Sequence, residues 1–228
     1  MVDRDSIWDF NNGLPTIITT TFQMNLNGYP FVLPDTIGGN GFNLEQDQAD
    51  LPTKELFIRW VQANTFLPVM QFSFAPWNFD QETVAITKKY VELHTQYADV
   101  IFEAMEAAVS DNTPVNKPIW WVDPTDEEAL AIWDEYLLGD TILVAPVLKE
   151  GAEYRDIYLP AGTWYEEGDR TRVIQGPLWL HFYPAPLETL PFFIKDKGSS
   201  DSQASLFSSV ILVLLSVIFN LFIRFTLR

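Results

Sequence analysis

The stretch Gly28-Tyr29-Pro30-Phe31-Val32-Leu33-Pro34-Asp35-Thr36-Ile37-Gly38-Gly39-Asn40 narrows the folds open to this chain more than any other. An apolar run bounded by Pro and Gly suits a short strand covered on both faces, so residues 31–33 are expected to form one. Asp35 then stands at the C-terminal end of that strand, the end where an α/β barrel gathers its binding and catalytic side chains. Gly38 and Gly39 give the following loop backbone freedom and put no side chain in the way of a ligand. An Asp in a plain strand-to-helix turn has the same appearance, and the stretch alone leaves both readings open.

Around this point the chain alternates. Residues 14–24 are expected to be a helix ended by Gly28, and residues 43–50 an acidic loop. Pro52 and Thr53 open a second helix that runs to Ala63. Residues 66–74 read as another buried strand, closed by Ala75-Pro76-Trp77-Asn78. One long helix follows from Glu82 to about Val109, on which Ile86, Tyr90, Leu93, Tyr97, Ile101 and Met105 form a single apolar face. Strand, helix, strand, helix in that order predicts parallel α/β units.

The pattern changes after Asp111-Asn112-Thr113-Pro114. Short β-like runs follow at 119–122, 141–148, 155–159, 172–174, 178–183 and 192–194. Gly139-Asp140, Glu150-Gly151 and Ala161-Gly162 mark the turns between them. The expected organisation is an α/β part over residues 1–113, an antiparallel β part over 114–197, and a polar linker over 198–203.

Residues 204–223, which open on Ala204 and close on Ile223, carry no charge. That length matches the roughly 20 residues needed to cross a hydrocarbon core of about 30 Å, and a membrane span is expected there. Arg224 and Arg228 follow it, so the positive-inside tendency places residues 1–203 outside the cytoplasm. A lipid-anchor signal is the alternative, since Gly198, Ser199 and Ser200 are small and a polar spacer precedes the apolar tail. No apolar run follows Met1, so no signal peptide is expected there.

Composition excludes some functions. The 228 residues carry 31 acidic against 14 basic side chains, a net charge of −17, which argues against a nucleic-acid surface built from clustered Lys and Arg. A hydrophobic share of 47%, with 14% aromatic, is ample for a core. There is no Cys, so there is neither a disulfide nor a Cys-ligated metal site. No metal and no cofactor are expected.

With these landmarks the sequence resembles the family-31 glycoside hydrolases, the α-glucosidase and α-galactosidase group, and within it the myogenesis-regulating glycosidase branch. The Gly28–Asn40 stretch is similar to that branch's seventh-strand motif. Glu55-Leu56-Phe57-Ile58-Arg59-Trp60-Val61-Gln62 is similar to the helix after it, and residues 66–77 to the eighth strand. Leu137-Leu138-Gly139-Asp140, Leu143-Val144-Ala145-Pro146-Val147 and Tyr158-Leu159-Pro160-Ala161-Gly162-Thr163-Trp164 are similar to the family's proximal β domain. The resemblance implies the C-terminal portion of a (β/α)8 barrel followed by that β domain, and a carbohydrate substrate.

It also implies a retaining mechanism, with two carboxyl groups roughly 5–5.5 Å apart across the glycosidic bond. The family's acid/base Asp lies five residues before a Trp. Asp3-Arg4-Asp5-Ser6-Ile7-Trp8 has that spacing, which makes Asp3 the acid/base candidate; a solvated terminal Asp is the plainer reading. Asp35 matches a position that binds sugar hydroxyls, with Trp8, Arg59 and Trp77 as further sugar-binding candidates. His94 and His181 are expected to be structural or surface residues.

Two departures stand out. The family's nucleophilic Asp, followed closely by Asn-Glu, has no counterpart in this sequence, which starts about where the sixth strand ends. The Arg-Asn-His-Asn that many α-glucosidases carry after the eighth strand is replaced by Gln71-Phe72-Ser73-Phe74. The expected function is therefore hydrolysis of α-linked glucosides or galactosides in a completed barrel. The alternatives are a membrane-anchored protein that binds carbohydrate without turnover, or a truncated product with no stable fold.

Overall fold

The computed structural model describes residues 3–43, 48–49, 51–166 and 169–196. The span expected at 204–223 and the linker at 198–203 lie outside them. Among the described residues no helix is long and apolar enough to cross a membrane.

Helix α1 (Thr16–Leu26) is followed by Gly28 at φ +84°, a left-handed turn that suits glycine. Strand β1 (Thr36–Ile37) leads to a small hairpin, β2 (Phe42–Asn43) with β3 (Gln48–Ala49). Helix α2 (Lys54–Asn64) starts where the Thr53 hydroxyl accepts the Leu56 N–H, a side-chain cap for an otherwise unpaired donor. Strand β4 (Gln71–Phe72) pairs in parallel with β1, Thr36 against Gln71 and Ile37 against Phe72. A short 3₁₀ turn, Pro76–Asn78, precedes α3 (Gln81–Gln96), capped by Asp80, and α4 (Ala98–Asp111) ends at Asn112 in the left-handed region.

The second part holds β5 (Asn116–Lys117), a 3₁₀ turn at Ile119–Trp121, α5 (Glu127–Ala131), β6 (Tyr136–Leu138) and β7 (Ile142–Val144). The long strands β8 (Tyr154–Glu166) and β9 (Asp169–Pro184) follow, and β10 (Phe192–Lys195) closes the chain's sheet. Its order is β5-β6-β7-β10-β8-β9, antiparallel throughout.

Residues 3–195 form one compact unit, because the sheet and the helices share a core. Side chains on successive strand residues point to opposite faces. Leu138, Ile142, Val144 and Phe192 therefore join the helical residues Ile17, Trp60, Phe66 and Tyr90 in one cluster. Leu137, Leu143 and Phe193 face the other way, onto Ile119, Tyr158, Leu159 and Trp164. Polar groups tie the same seam: the Tyr136 hydroxyl donates to Ala63 O, and Asn116 Nδ2 to Phe66 O.

The structure corrects several expected boundaries. Residues 31–33 have no strand neighbour, and the paired strand begins at Thr36, so Asp35 precedes β1 rather than closing a strand. Only Gln71–Phe72 of residues 66–74 pairs, since the chain after α2 first turns through Phe66 and Leu67. The long helix breaks at Tyr97, whose ring lies near-perpendicular to Phe66 and Phe192 in the core. Residues 119–121 are a 3₁₀ turn, and the neighbouring β-bridge falls at Asn116–Lys117. Ala161-Gly162 is a bulge inside β8, not a turn. There Gly162 takes φ +143°, and Gly176 on the facing strand approaches so closely that a Cβ would lie 2.1 Å from Pro160 O.

Candidate functional site

The residues before α1 fold onto the loop after β1, and two features of the sequence make this possible. Ser6 is small and polar, and its hydroxyl donates to Gly38 O at 2.5 Å while accepting the Gly41 N–H at 2.9 Å. Gly39, at φ +75°, has no side chain, and a Cβ there would sit 2.9 Å from Ser6 Oγ and 3.0 Å from the Asp5 backbone. The two segments thus meet backbone to backbone. The Asn40 N–H donates to Arg4 O, and Asn40 Nδ2 to Asp5 Oδ1. Asn12 closes the segment on itself, donating from Nδ2 to Asp3 O.

Asp35 is the hinge of this arrangement. It has no exposed surface, and its Oδ2 accepts the backbone N–H of Arg4 at 2.8 Å. Burial pushes its carboxyl up from the ordinary range, against the pull of the Thr36 and Arg4 N–H groups and the Arg4 charge, and the charge of Asp3 adds to the rise. Arg4 is itself buried, which lowers its guanidinium pKa. Its Nη1 donates to Thr16 Oγ1, while Nε and Nη2 are enclosed without a partner.

Asp3 therefore sits one residue from the Asp35 anchor, exposed and on a segment fixed by at least three backbone contacts. The neighbouring aspartates are already engaged: Asp5 by Asn40, Asp9 by the Asn11 N–H. Among the described residues, no hydrogen-bond partner holds the Asp3 carboxylate.

The other candidates lie elsewhere. Trp8 is half-buried against the main core with its indole N–H enclosed and unpartnered. Trp77 is 75% exposed on the rim of a cavity of about 680 Å³ between β4 and α3, with Phe72, Phe74, Val84 and Val91 among its walls. None of Asp3, Trp8, Asp35 or Arg59 lines that cavity.

Arg59 is buried in the seam between α2 and the β part. Its Nη1 donates to Gln62 Oε1, Pro186 O and Thr189 O, and its Nη2 to Ala152 O and Ala185 O. Those contacts hold two loops of the sheet to the helix and leave it no approach to a sugar at Asp3. His94 donates from Nδ1 to Thr65 O, and His181 pairs with Asp156 and stacks on Trp179. Among the described residues no group of three His, Asp or Glu is placed to hold a metal ion.

Sequence reasoning missed Arg4 and Ser6 as the anchors of the opening segment. The doubled glycine at 38–39 was the available signal, since it announces a close backbone approach without naming the partner.

A two-stranded parallel ladder with helices beside it, joined through a shared core to an antiparallel sheet, is the arrangement of part of an α/β barrel carrying a β domain. Comparison with known proteins agrees. The family model described as the glycosyl hydrolases family 31 TIM-barrel domain matches residues 3–104, and the glycosyl hydrolase family 31 C-terminal domain matches residues 112–198. The chain belongs to glycosyl hydrolase family 31. It is 39% identical over 201 residues to the myogenesis-regulating glycosidase of Mus musculus, covering 85% of this chain and 27% of that protein. It is 37% identical over 204 residues to the SITS-binding protein of Tetronarce californica, covering 87% and 28%. Among solved structures, a family-31 α-xylosidase from a soil metagenome complexed with xylose superposes with a TM-score of 0.73 at 26% identity, covering 88% of this chain and 32% of that one. The chain thus spans little more than a quarter of the length of these curated relatives.

Proposed function

We propose that this chain supplies the proton-donating side of a retaining family-31 α-glycosidase, acting on α-linked glucosides or galactosides. The observation that carries the reading is Asp3. Of the aspartates 3, 5, 9 and 35, it alone is exposed and without a hydrogen bond among the described residues, and Asp35 holds the neighbouring backbone through the Arg4 N–H. As a neutral carboxyl, Asp3 gives its proton to the glycosidic oxygen as the C–O bond breaks. As a carboxylate, it then takes a proton from the water that attacks the glycosyl–enzyme. The nucleophile for that sequence is an Asp preceding Asn-Glu, a motif this chain does not contain. Asp35 is buried, so its part is to hold Asp3 in place.

A second reading, ligand binding without turnover, is favoured by the 37%-identical relative named for binding SITS. The segment where many α-glucosidases keep a sugar-binding His supports it too, for here Phe72 is part-exposed and the Ser73 hydroxyl is engaged with Ile37 O.

An assay against p-nitrophenyl α-glucoside and α-galactoside separates the two. The chain alone is expected to be silent; joined to a family-31 barrel portion that carries the nucleophile, it should turn over. Turnover by the chain alone would contradict the reading, and a folded but silent joined protein that still binds sugar would favour the second.

The reading includes a membrane anchor at 204–223, supported by that uncharged, apolar run. Alkaline carbonate should leave the full chain in the membrane pellet and release a version ending at Gln203. Release of both would overturn the anchor, and release by a phosphatidylinositol-specific lipase would replace it with a lipid.

A further inference from the structure

A second cavity, of about 310 Å³, opens where the loop before β6 meets the start of β8. Its walls include Trp133, Asp134, Lys149, Tyr154 and Arg155. We propose that it is a carbohydrate-binding site separate from Asp3, taking one or two rings of a neutral pyranoside.

The walls combine two kinds of surface that a pyranose needs. Trp133 and Tyr154 are large aromatics left 41% and 58% exposed, suited to the C–H face of a sugar ring. Trp133 is held in place because the Phe10 ring meets it in a T-shaped contact at 4.7 Å, so little motion is lost when a ligand settles on it.

The polar groups are equally prepared. Arg155 is nearly buried, and its guanidinium is fully engaged: Nε with Asp156 O, Nη1 with Asp134 O and Pro146 O, Nη2 with Glu135 Oε1 and Asp134 Oδ2. It has no donor left for a ligand and acts as a brace that fixes Asp134 through one carboxylate oxygen. The other polar groups of these lining residues have no hydrogen-bond partner among the described residues. They are Asp134 Oδ1, Lys149 Nζ, the Tyr154 hydroxyl and the Trp133 indole N–H. One acceptor, one cationic donor and two further donors around aromatic faces match vicinal hydroxyls on an apolar ring.

Charge and size narrow the ligand. Asp134 carries one negative charge beside the positive charges of Arg155 and Lys149, and Arg155 is taken up by protein acceptors, so the lining offers a ligand one carboxylate oxygen and one ammonium rather than a cluster of one sign. The cavity's volume lies at the low end of the range for small-molecule sites, about 300–1,000 Å³, which suits one or two sugar rings rather than a peptide. The site does not depend on the acid role of Asp3, and its test is a binding measurement.

The experiment is ¹H–¹⁵N NMR of the full chain, in sugar-free detergent, titrated with maltose and with methyl α-galactoside. At least one sugar is expected to shift the Trp133 indole and the Tyr154 amide saturably. Trp133→Ala and Lys149→Ala should each weaken binding by about tenfold or more without collapsing the rest of the spectrum. If Trp133→Ala fails to fold for want of the Phe10 contact, Lys149→Ala and Tyr154→Ala decide, since both side chains are exposed. The proposal is overturned by no shift at Trp133, by equal shifts with cyclohexanol, or by undiminished affinity in the folded variants. Shifts at Trp8 and beside Asp3 alone would favour the proposed function while overturning this site.

Discussion

At the scale of single residues, Asp35, Arg4 and Glu135 are among the charged side chains that the fold buries, and they serve two different places in it. Asp35 and Arg4 anchor the opening segment. Glu135 anchors Arg155 and the Tyr158 N–H through Oε1, while Oε2 is enclosed with no partner. Burial pushes the Glu135 carboxyl up to about 8 despite the nearby Arg155 charge, because the bare oxygen is stripped of water with nothing in exchange. The sign of the linkage follows. An unfolded Glu releases its proton near 4.5, whereas the folded one keeps it to about 8. Protonation therefore stabilises the fold below that window, and stability falls as pH rises through it, by about 2–4 kcal/mol. Asp35 acts in the same direction. Urea unfolding at pH 5 and pH 8 should show this decline, and Glu135→Gln should flatten most of it; an unchanged slope in the variant would assign the decline to other groups.

At the scale of elements, the sequence showed which helices and strands exist better than where they stop. The periodicity of Ile86, Tyr90, Leu93, Tyr97, Ile101 and Met105 spans α3 and α4 correctly as one apolar face. It contains no sign of the break at Tyr97, which depends on Phe66 and Phe192 far along the chain. Strand positions are legible only where a neighbour exists to pair with, which is why residues 31–33 carry the apolar pattern and Thr36–Ile37 the hydrogen bonds. Ala161-Gly162 has turn composition but serves a bulge, since the close approach of Gly176 is a property of the facing strand. Arg59 is the plainest case of a residue whose role the sequence could not give. The family resemblance makes it a sugar-binding candidate, and its carbonyl partners lie more than 90 positions away, where no local pattern announces them. Arg59→Ala should destabilise the chain by about 3 kcal/mol or more, because buried carbonyls lose their donor. Arg59→Lys should recover little, as a single ammonium cannot span both loops. Thermal unfolding gives the comparison; a neutral substitution with impaired sugar binding would return Arg59 to the ligand site.

At the scale of the whole molecule, the sheet and the barrel helices form one body, with the acid candidate fixed by backbone contacts to the loop after β1. Backbone contacts hold the described part of the opening segment, and Asp3 is exposed there with no hydrogen-bond partner for its carboxylate among the described residues. General acid assistance matters most when the leaving group is a poor one, and is typically worth about 10²–10⁴-fold. The most direct measurement joins this chain to the nucleophile-bearing portion of a family-31 barrel and compares wild type with Asp3→Asn on two aryl α-glycosides, one with an unactivated and one with a dinitrophenyl leaving group. The predicted result is a loss of about 10²–10⁴-fold in kcat/KM for the unactivated substrate, with little loss for the dinitrophenyl one. Equal losses on both, or none on either, would contradict the assignment of Asp3 as the proton donor.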